Sequence, residues 1–182
     1  DSSERTAEVI NLYEENHPNL VRSVVEDHVR SSYAARNKGV EAAEGEIISF
    51  IDADMTVRPD WLNRVRAAVR DVDPDYMGCK VHMYSTSKSV SSLYNILTGF
   101  PVKSYMKRAH YAPTCCLTVK RDVFDRIGFF DGRLESGGDT EFGNRAWAAG
   151  LKFHYAGQIV MHHSARGTVT ALLKKAYRIG RG

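Results

Sequence analysis

Two carboxylates, Asp52 and Asp54, follow the apolar run Ile47 to Ile51, with only Ala53 between them. Carboxylates this close at the end of a buried strand repel one another and lose hydration, and a hard divalent cation relieves both costs. Mg²⁺ and Mn²⁺ accept oxygen ligands, and Mg²⁺ sites usually complete their shell with substrate phosphates. The pair therefore indicates a metal site for a phosphate-bearing ligand. The alternative is a solvated turn in which one aspartate caps the following segment, which is common for an isolated Asp-x-Asp.

A further carboxylate, Asp139, follows Gly137 and Gly138 and opens a predicted helix. A carboxylate at a pocket rim serves as a general base when its pKa is raised and a hydroxyl comes within reach. Aspartate is also a favoured helix cap, and Glu141 in the first turn suits the helix dipole. Taken alone, the segment is better explained as an ordinary helix start.

Two adjacent histidines, His162 and His163, follow an apolar strand and precede Arg166. Because neighbouring residues of a strand point to opposite faces, only one of them can face a site, where it could ligate a metal. Arg166 could neutralise phosphate oxygens. Without the other clusters, an exposed histidine is more often ordinary surface.

The elements that must position these residues alternate between helix and strand in the first half of the chain. We predict a helix ending near Asn16, a short strand from Leu20 to Val25, a helix from Ser32 to Gly45, a central strand from Ile47 to Ile51 and a helix beginning near Pro59. This alternation predicts an α/β fold with a Rossmann-like, mostly parallel sheet flanked by helices. Ligands bind such sheets beyond the carboxyl ends of the strands, where Asp52 and Asp54 lie.

The second half of the chain mixes the same two periodicities. Strands are predicted at Met77–Met83, Thr114–Val119, Leu151–Tyr155 and Ile159–Met161, and helices at Leu93–Leu97, Asp122–Ile127, Asp139–Ala149 and Val169–Ile179.

Length and composition indicate one domain, because 182 residues suffice for a sizeable core. No apolar stretch approaches the ~20 residues that cross a bilayer, and no secretory signal is visible. The three cysteines include the adjacent Cys115 and Cys116, which argues against a disulfide framework. These features favour a reducing, cytoplasmic location.

The charge distribution is uneven, since no acidic residue follows Glu141. A basic C-terminal end suits phosphate groups or an anionic membrane surface. The last helix also has an apolar face, which indicates peripheral membrane contact or a lipid-linked acceptor. Packing of that helix on the core explains the same pattern equally well.

The order of the motifs resembles that of a family-two glycosyltransferase of the GT-A fold. The segments that carry the resemblance are Ser32 to Leu62, Lys120 to Gly150 and His163 to Gly182, and the resemblance extends over nearly the whole chain. They include an Ala-Arg-Asn-x-Gly motif before the Asp-x-Asp and a later Gly-Gly-Asp-x-Glu-Phe motif. The resemblance implies an inverting, Mn²⁺- or Mg²⁺-dependent transfer of a sugar from a nucleotide diphosphate, with a UDP-sugar favoured, to a glycan or lipid-linked acceptor in polysaccharide biosynthesis.

The resemblance also implies roles for individual residues. Asp139 falls where the family places its catalytic base, and Asp54 where it places a ligand of the metal that bridges the diphosphate. His163 falls where some members place a further metal ligand or diphosphate contact, because His-x-x-Arg matches the family's spacing. The implied nucleotide-sugar contacts are Asp1, Arg36, Asp52 and Arg166, and Glu141 would lie near the acceptor.

Family members begin with a strand and a turn ahead of the position of Asp1, so the resemblance implies that the N-terminal strand is missing and that the sequence is a fragment. We expect one GT-A-like domain over residues 1–182, with a nucleotide-binding part at about 1–84 and an acceptor and catalytic part at about 85–182. No nucleic-acid partner is expected.

Two other readings stay open. In a haloacid-dehalogenase-like phosphatase, Asp52 would be the nucleophile, Asp54 the acid/base, and Asp139 a distal metal carboxylate; the absence of a glycine after Thr56 argues against it. In a non-catalytic module, the chain would only hold a nucleotide sugar or a partner.

Overall fold

The computed structural model describes residues 4–181, with side chains described from Arg5 to Gly180. The helices of this part of the chain are α1 (Glu4–Asn16), α2 (Ser32–Ala42), α3 (Trp61–Val72), α4 (Val90–Thr98), α5 (Val102–Arg108), α6 (Asp122–Ile127), α7 (Gly138–Ala148) and α8 (Val169–Arg181). The strands are β1 (Ile47–Ser49), β2 (Met55–Val57), β3 (Tyr76–Tyr84), β4 (Leu117–Lys120) and β5 (Phe153–Ser164).

The strands of the described residues form one sheet in the order β1-β4-β3-β5-β2. The strands β1, β3 and β5 run in one direction, with β3 and β5 paired in parallel, while β4 and β2 pair antiparallel with their neighbours. Helices pack on this sheet, and the first four residues of β3 are all buried at its centre. The predicted α/β fold, with a sheet flanked by helices and most strands sharing a direction, is confirmed.

Two details of the predicted strands are wrong. The segment from Leu20 to Val25 forms no strand, and those two end residues are 86% and 78% exposed. A strand needs a hydrogen-bonding neighbour, which an apolar pattern cannot supply by itself. The strand β1 lies at one edge of the described sheet and pairs with β4 alone, so it is not the central strand that its continuous apolar run predicted.

The second half of the chain contains one long strand where two shorter strands were predicted. The two strands predicted between Leu151 and Met161 form the single strand β5, which keeps its pairing with β3 across an irregularity opposite Cys79 and Lys80. The helix α5 was not predicted.

No helix of the described residues is both long enough and apolar enough to cross a bilayer.

An aromatic cluster joins the two helices that carry predicted site residues. The ring of Phe130 lies 4.3 Å from that of Phe142 in α7 and 6.0 Å from that of Tyr33 in α2. Phe50, directly after β1, meets Phe130 edge-on at 5.5 Å. Because these rings share one buried core, α2 and α7 are held in a fixed relation to the end of β1.

A glycine in α7 allows the helix to approach the loop before β4. A Cβ atom on Gly143 would lie 2.5 Å from the carbonyl oxygen of His110 and 2.7 Å from the Cα of Tyr111. Both are backbone atoms, so a side chain here must displace the loop. We expect Gly143→Ala to lower the free energy of unfolding by about 1–3 kcal/mol. Urea unfolding should show no comparable loss for Asn144→Ala, which changes the exposed neighbouring residue.

Candidate active site

One cleft of about 400 Å³ brings together six of the residues singled out in the sequence: Arg36, Asp52, Asp54, Asp139, His163 and Arg166. The cleft lies beyond the end of β1 and beside the end of β5, where an α/β sheet is expected to bind ligands. Glu141 is not part of its lining. Asp1 lies outside the described residues.

Asp54 and His163 face each other across the pairing of β2 with β5. The antiparallel register places Met55 opposite His163, so Asp54 comes beside the imidazole. The Nε2 atom of His163 lies 3.5 Å from Oδ2 of Asp54, and the histidine is buried while the aspartate is exposed to the cleft. His162 points away and meets His82 edge-on at 5.4 Å between ring centroids. As expected for neighbouring strand residues, only one of the two histidines faces the cleft.

The tautomer of His163 makes this pair suited to a cation. Its Nδ1 atom lies 2.7 Å from the carbonyl oxygen of Ser164, which can only accept, so Nδ1 carries the hydrogen. With the hydrogen on Nδ1, the Nε2 atom is the ring nitrogen that can offer a lone pair on the side of Asp54. Two facing lone pairs favour a bound cation, and a carbonyl that orients the ring is typical of metal-binding histidines. No cluster of three or more potential ligands occurs among the described residues, so phosphate oxygens and water would complete the shell.

Arg36 connects this carboxylate region to the centre of the cleft. Its guanidinium donates hydrogen bonds to Oδ1 of Asp52 at 3.1 Å and to the hydroxyl of Ser32, also at 3.1 Å. The same group lies 5.3 Å from the ring centroid of Tyr33. Arg36 lies one turn after Ser32 in α2, and these contacts fix the position of its guanidinium in the cleft.

Asp139 is not the cap of α7. Gly137, with a φ of 81°, occupies the cap position and no side chain bonds there, whereas the carboxylate of Asp139 accepts a hydrogen bond from the hydroxyl of Thr114 at 3.1 Å. Burial raises the pKa of the Asp139 carboxyl, and this outweighs the opposing effects of the Arg36 charge and the Thr114 hydrogen bonds. A dehydrated carboxylate that faces a cleft has the character of a general base.

Tyr33 borders the carboxylate of Asp139. Burial, and next the nearby charge of Asp139, raise the pKa of the Tyr33 phenol, although backbone N–H groups of Asp139 and Gly138 bond to it. A Cβ atom on Gly138 would lie 2.7 Å from the tyrosine ring. The tight contact between Tyr33 and the start of α7 fixes the position of Asp139.

Three cations approach the cleft from the C-terminal end of the chain. Arg166, Lys175 and Arg178 line it, and none of them is paired with a carboxylate within the described residues. Burial, followed by the charges of the two arginines, lowers the pKa of the Lys175 ammonium. Unpaired cations gathered in a partly dehydrated cleft favour an anionic ligand such as a phosphate.

Glu141 has another partner. Its carboxylate binds Arg145 one helical turn on, through contacts of 2.5 Å and 2.8 Å, and Arg145 also donates to the carbonyls of Ile127 and Phe129. Glu141 thus holds an arginine that ties α7 to the segment after α6. The arrangement supports a structural role, and acceptor contact by Glu141 stays a prediction.

The tyrosines of the cleft were missed by the sequence analysis. Tyr105 and Tyr111 stack at 5.1 Å and line the cleft near Asp139, and burial raises the pKa of Tyr111 to about 12. They lie in the segment from Ser85 to Tyr111, whose sequence matched no recognised motif. The stacked rings give this part of the polar cleft an apolar surface against which a ligand can pack.

The fold is shared with solved structures of GT-A transferases. The structure of S. aureus TarS 1-349 in complex with UDP-GlcNAc superposes with a TM-score of 0.66 at 17% identity, covering 92% of this chain and 48% of that one. The mannosyltransferase PcManGT from Pyrobaculum calidifontis, in complex with GDP-Man and Mn²⁺, gives a TM-score of 0.64 at 21% identity, covering 89% and 45%. At these identities the likeness establishes the fold alone.

The chain belongs to glycosyl transferase family 2, whose family model matches residues 1–128. It is 32% identical over 182 residues to the glycosyltransferase AglE of Haloferax volcanii, with all of this chain and 59% of that protein aligned. The chain thus spans little more than half the length of this relative. Membership of this family rules out the haloacid-dehalogenase-like reading of Asp52.

Proposed function

We propose that this domain is an inverting glycosyltransferase that moves a sugar from a nucleotide diphosphate to an acceptor hydroxyl. The observation that carries the proposal is the single cleft that holds an Asp54–His163 pair suited to a cation, unpaired cations and a dehydrated carboxylate, Asp139. These are the groups that the departure of a diphosphate and the attack of a hydroxyl require.

The groups that we propose to bind the donor lie on one side of the cleft. Asp54 and His163 would hold Mn²⁺ or Mg²⁺, which when bound neutralises charge on the diphosphate oxygens. Asp52, fixed by Arg36, would contact the nucleotide ribose or the metal shell, and Arg166 would contact the diphosphate. A cleft of about 400 Å³ falls within the range of small-molecule sites.

Asp139 performs the proton transfer. Its carboxylate takes the proton of the acceptor hydroxyl while that oxygen forms a bond to the anomeric carbon. The bond from the anomeric carbon to the diphosphate oxygen breaks, and its electron pair leaves with the diphosphate. The transition state has oxocarbenium character, and Arg166, Lys175 and Arg178 stabilise the charge that grows on the leaving group.

The donor class is supported by the neighbouring structures, which are complexes of TarS with UDP-GlcNAc and of PcManGT with GDP-Man and Mn²⁺. We propose a UDP-sugar as donor, and a glycan or lipid-linked molecule in polysaccharide biosynthesis as acceptor. Tyr105 and Tyr111 lie in the cleft as surfaces for the acceptor or the transferred sugar.

Calorimetric titration with UDP and GDP, each with and without Mn²⁺, tests the donor site. We expect binding that depends on Mn²⁺ and is tighter for UDP. Release of UDP from UDP-sugars, followed in the same samples, separates an enzyme from a binding module. The proposal would be contradicted if nucleotide binding does not depend on Mn²⁺, or if the donor binds but is not turned over with any acceptor tested.

The raised pKa of Asp139 predicts an acid limb in the pH profile of transfer. The base acts only as the carboxylate, so the rate rises with pH through a native pKa that lies above the ordinary value of 3.8. Rates measured across pH at saturating donor should show this midpoint. A profile that is flat from the ordinary carboxyl range upward would argue against a dehydrated base.

The same shift predicts how stability depends on pH. The native chain binds the Asp139 proton more tightly than the unfolded chain, so this contribution to stability is present at low pH and is lost as pH rises through the native pKa. Asp139→Asn should therefore be more stable than the wild type at neutral pH and nearly equal to it below 3.8. Urea unfolding of both proteins at neutral pH and below pH 3.8 measures the difference in their free energies of unfolding. This difference should be larger at neutral pH, and a constant difference would contradict the prediction.

A further inference from the structure

The helix α4 has the reverse of the usual amphipathic arrangement. Its inward positions are polar, since Ser91, Ser92 and Asn95 are buried. The Ser92 hydroxyl donates at 2.8 Å to the carbonyl oxygens of Ser87 and Ser89. The Oδ1 atom of Asn95 accepts a hydrogen bond at 2.8 Å from the backbone N–H of Arg166, so the inward side of the helix is tied to the segment after β5.

The outward positions of α4 are apolar. They form a continuous stripe at helical spacing: Val90, Leu93, Tyr94 and Leu97. Val90 and Leu97 are 84% and 77% exposed. A helix on the surface of a water-soluble protein normally has the opposite arrangement, with its apolar stripe facing the core.

The helix α8 extends this apolar surface. It contacts α4, and the hydroxyl of Ser89 at the start of α4 donates to the carbonyl of Gly167 at 2.7 Å. Val169, Leu173 and Tyr177 follow one another at intervals of one turn along α8, and all are exposed. We call the outward residues of the two helices the α4–α8 face: Val90, Leu93, Tyr94, Leu97, Val169, Leu173 and Tyr177.

The charge around the α4–α8 face is positive. No aspartate or glutamate occurs in residues 76–121 or in residues 142–182, which together supply both helices. Lys88, just before α4, and Lys174, within α8, are exposed beside the apolar residues. Exposed leucines with tyrosines and lysines are typical of helices that lie in the interface of an anionic bilayer.

We propose that the α4–α8 face binds the surface of an anionic lipid bilayer. The other side of α8 lines the cleft through Lys175, Arg178 and Ile179, so binding places the rim of the cleft at the lipid surface. An acceptor hydroxyl on a membrane lipid then reaches the cleft without leaving the bilayer. That last consequence rests on the proposed function, whereas the membrane contact does not.

Co-sedimentation of the chain with vesicles tests this contact. The wild type should bind vesicles of phosphatidylcholine with phosphatidylglycerol, and bind pure phosphatidylcholine far more weakly. Leu93→Ser/Leu97→Ser/Leu173→Ser should lower partitioning at least about tenfold. Lys88→Gln/Lys174→Gln should lower it severalfold per lysine on anionic vesicles alone. The matched control, Leu20→Ser/Leu62→Ser, removes equally exposed leucines elsewhere and should change little.

Two further measurements make the result decisive. Calorimetry with UDP and Mn²⁺ should be unchanged in all of these variants, so loss of vesicle binding and loss of donor binding report separately on the two proposals. Light scattering gives the oligomeric state without lipid. The membrane assignment would be overturned if the wild type does not bind anionic vesicles, or if the control loses as much vesicle binding as the triple variant. It would also be overturned if the wild type is a dimer that the triple substitution dissociates.

Discussion

Asp139→Asn is expected to lose sugar transfer while binding the donor about as well as the wild type. The amide cannot take the acceptor proton, and loss of a general base costs about a hundred- to ten-thousandfold in rate. Asparagine keeps an oxygen that can accept the hydrogen bond of Thr114, so the start of α7 should stay in place. Rates of UDP release in the presence of acceptor, with calorimetric affinities for UDP and Mn²⁺, measure the two effects separately.

The matched control is Asp71→Asn, which makes the same chemical change at an exposed residue of α3 that pairs with Arg70. It should leave both transfer and donor binding unchanged. Equal losses of transfer and donor binding in Asp139→Asn would show that Asp139 only supports the structure of the cleft.

Asp54→Asn is expected to remove most of the Mn²⁺-dependent part of donor binding. Asp54 and His163 are the protein ligands that we propose for the metal, so losing the carboxylate leaves one ring nitrogen to hold it. Losing merely an outer partner of a metal ligand costs about 10–100-fold in metal affinity, and losing a ligand should cost at least the upper end of that range. Titration of Mn²⁺ at fixed UDP, and the reverse, measure the coupling.

The two adjacent histidines provide an internal control. His163→Gln should weaken the Mn²⁺-dependent binding, whereas His162→Gln should not, because His162 lies on the opposite face of β5 against His82. If both substitutions have the same effect, or if Asp54→Asn keeps full Mn²⁺ dependence, the metal lies elsewhere.

Much of the site could be predicted because its residues follow regular elements. Strand periodicity placed Asp54 after β1 and allowed only one of His162 and His163 to face the cleft. Helix signals placed Asp139 at the start of α7, whereas Arg36 was singled out by the family resemblance alone. Short-range patterns of this kind are carried by the sequence itself.

The remaining features depend on contacts between distant segments. Thr114 bonds Asp139 across 25 positions of the chain, and no local pattern marks it. One side of α8 lies against α4 and the cleft and the other side is exposed, and membrane contact by the exposed side stays a prediction. The edge position of β1 was hidden because burial of an apolar run does not reveal how many strands flank it.

The measurement that tests the central claim most directly is a crystal structure of the chain with UDP and Mn²⁺, with anomalous data recorded at the manganese edge. The account predicts one anomalous peak within coordination distance of Asp54 and His163, bonded to the diphosphate, with Asp139 across the space left for the sugar. A peak at other residues, or a nucleotide bound outside the cleft of Asp139, would contradict it.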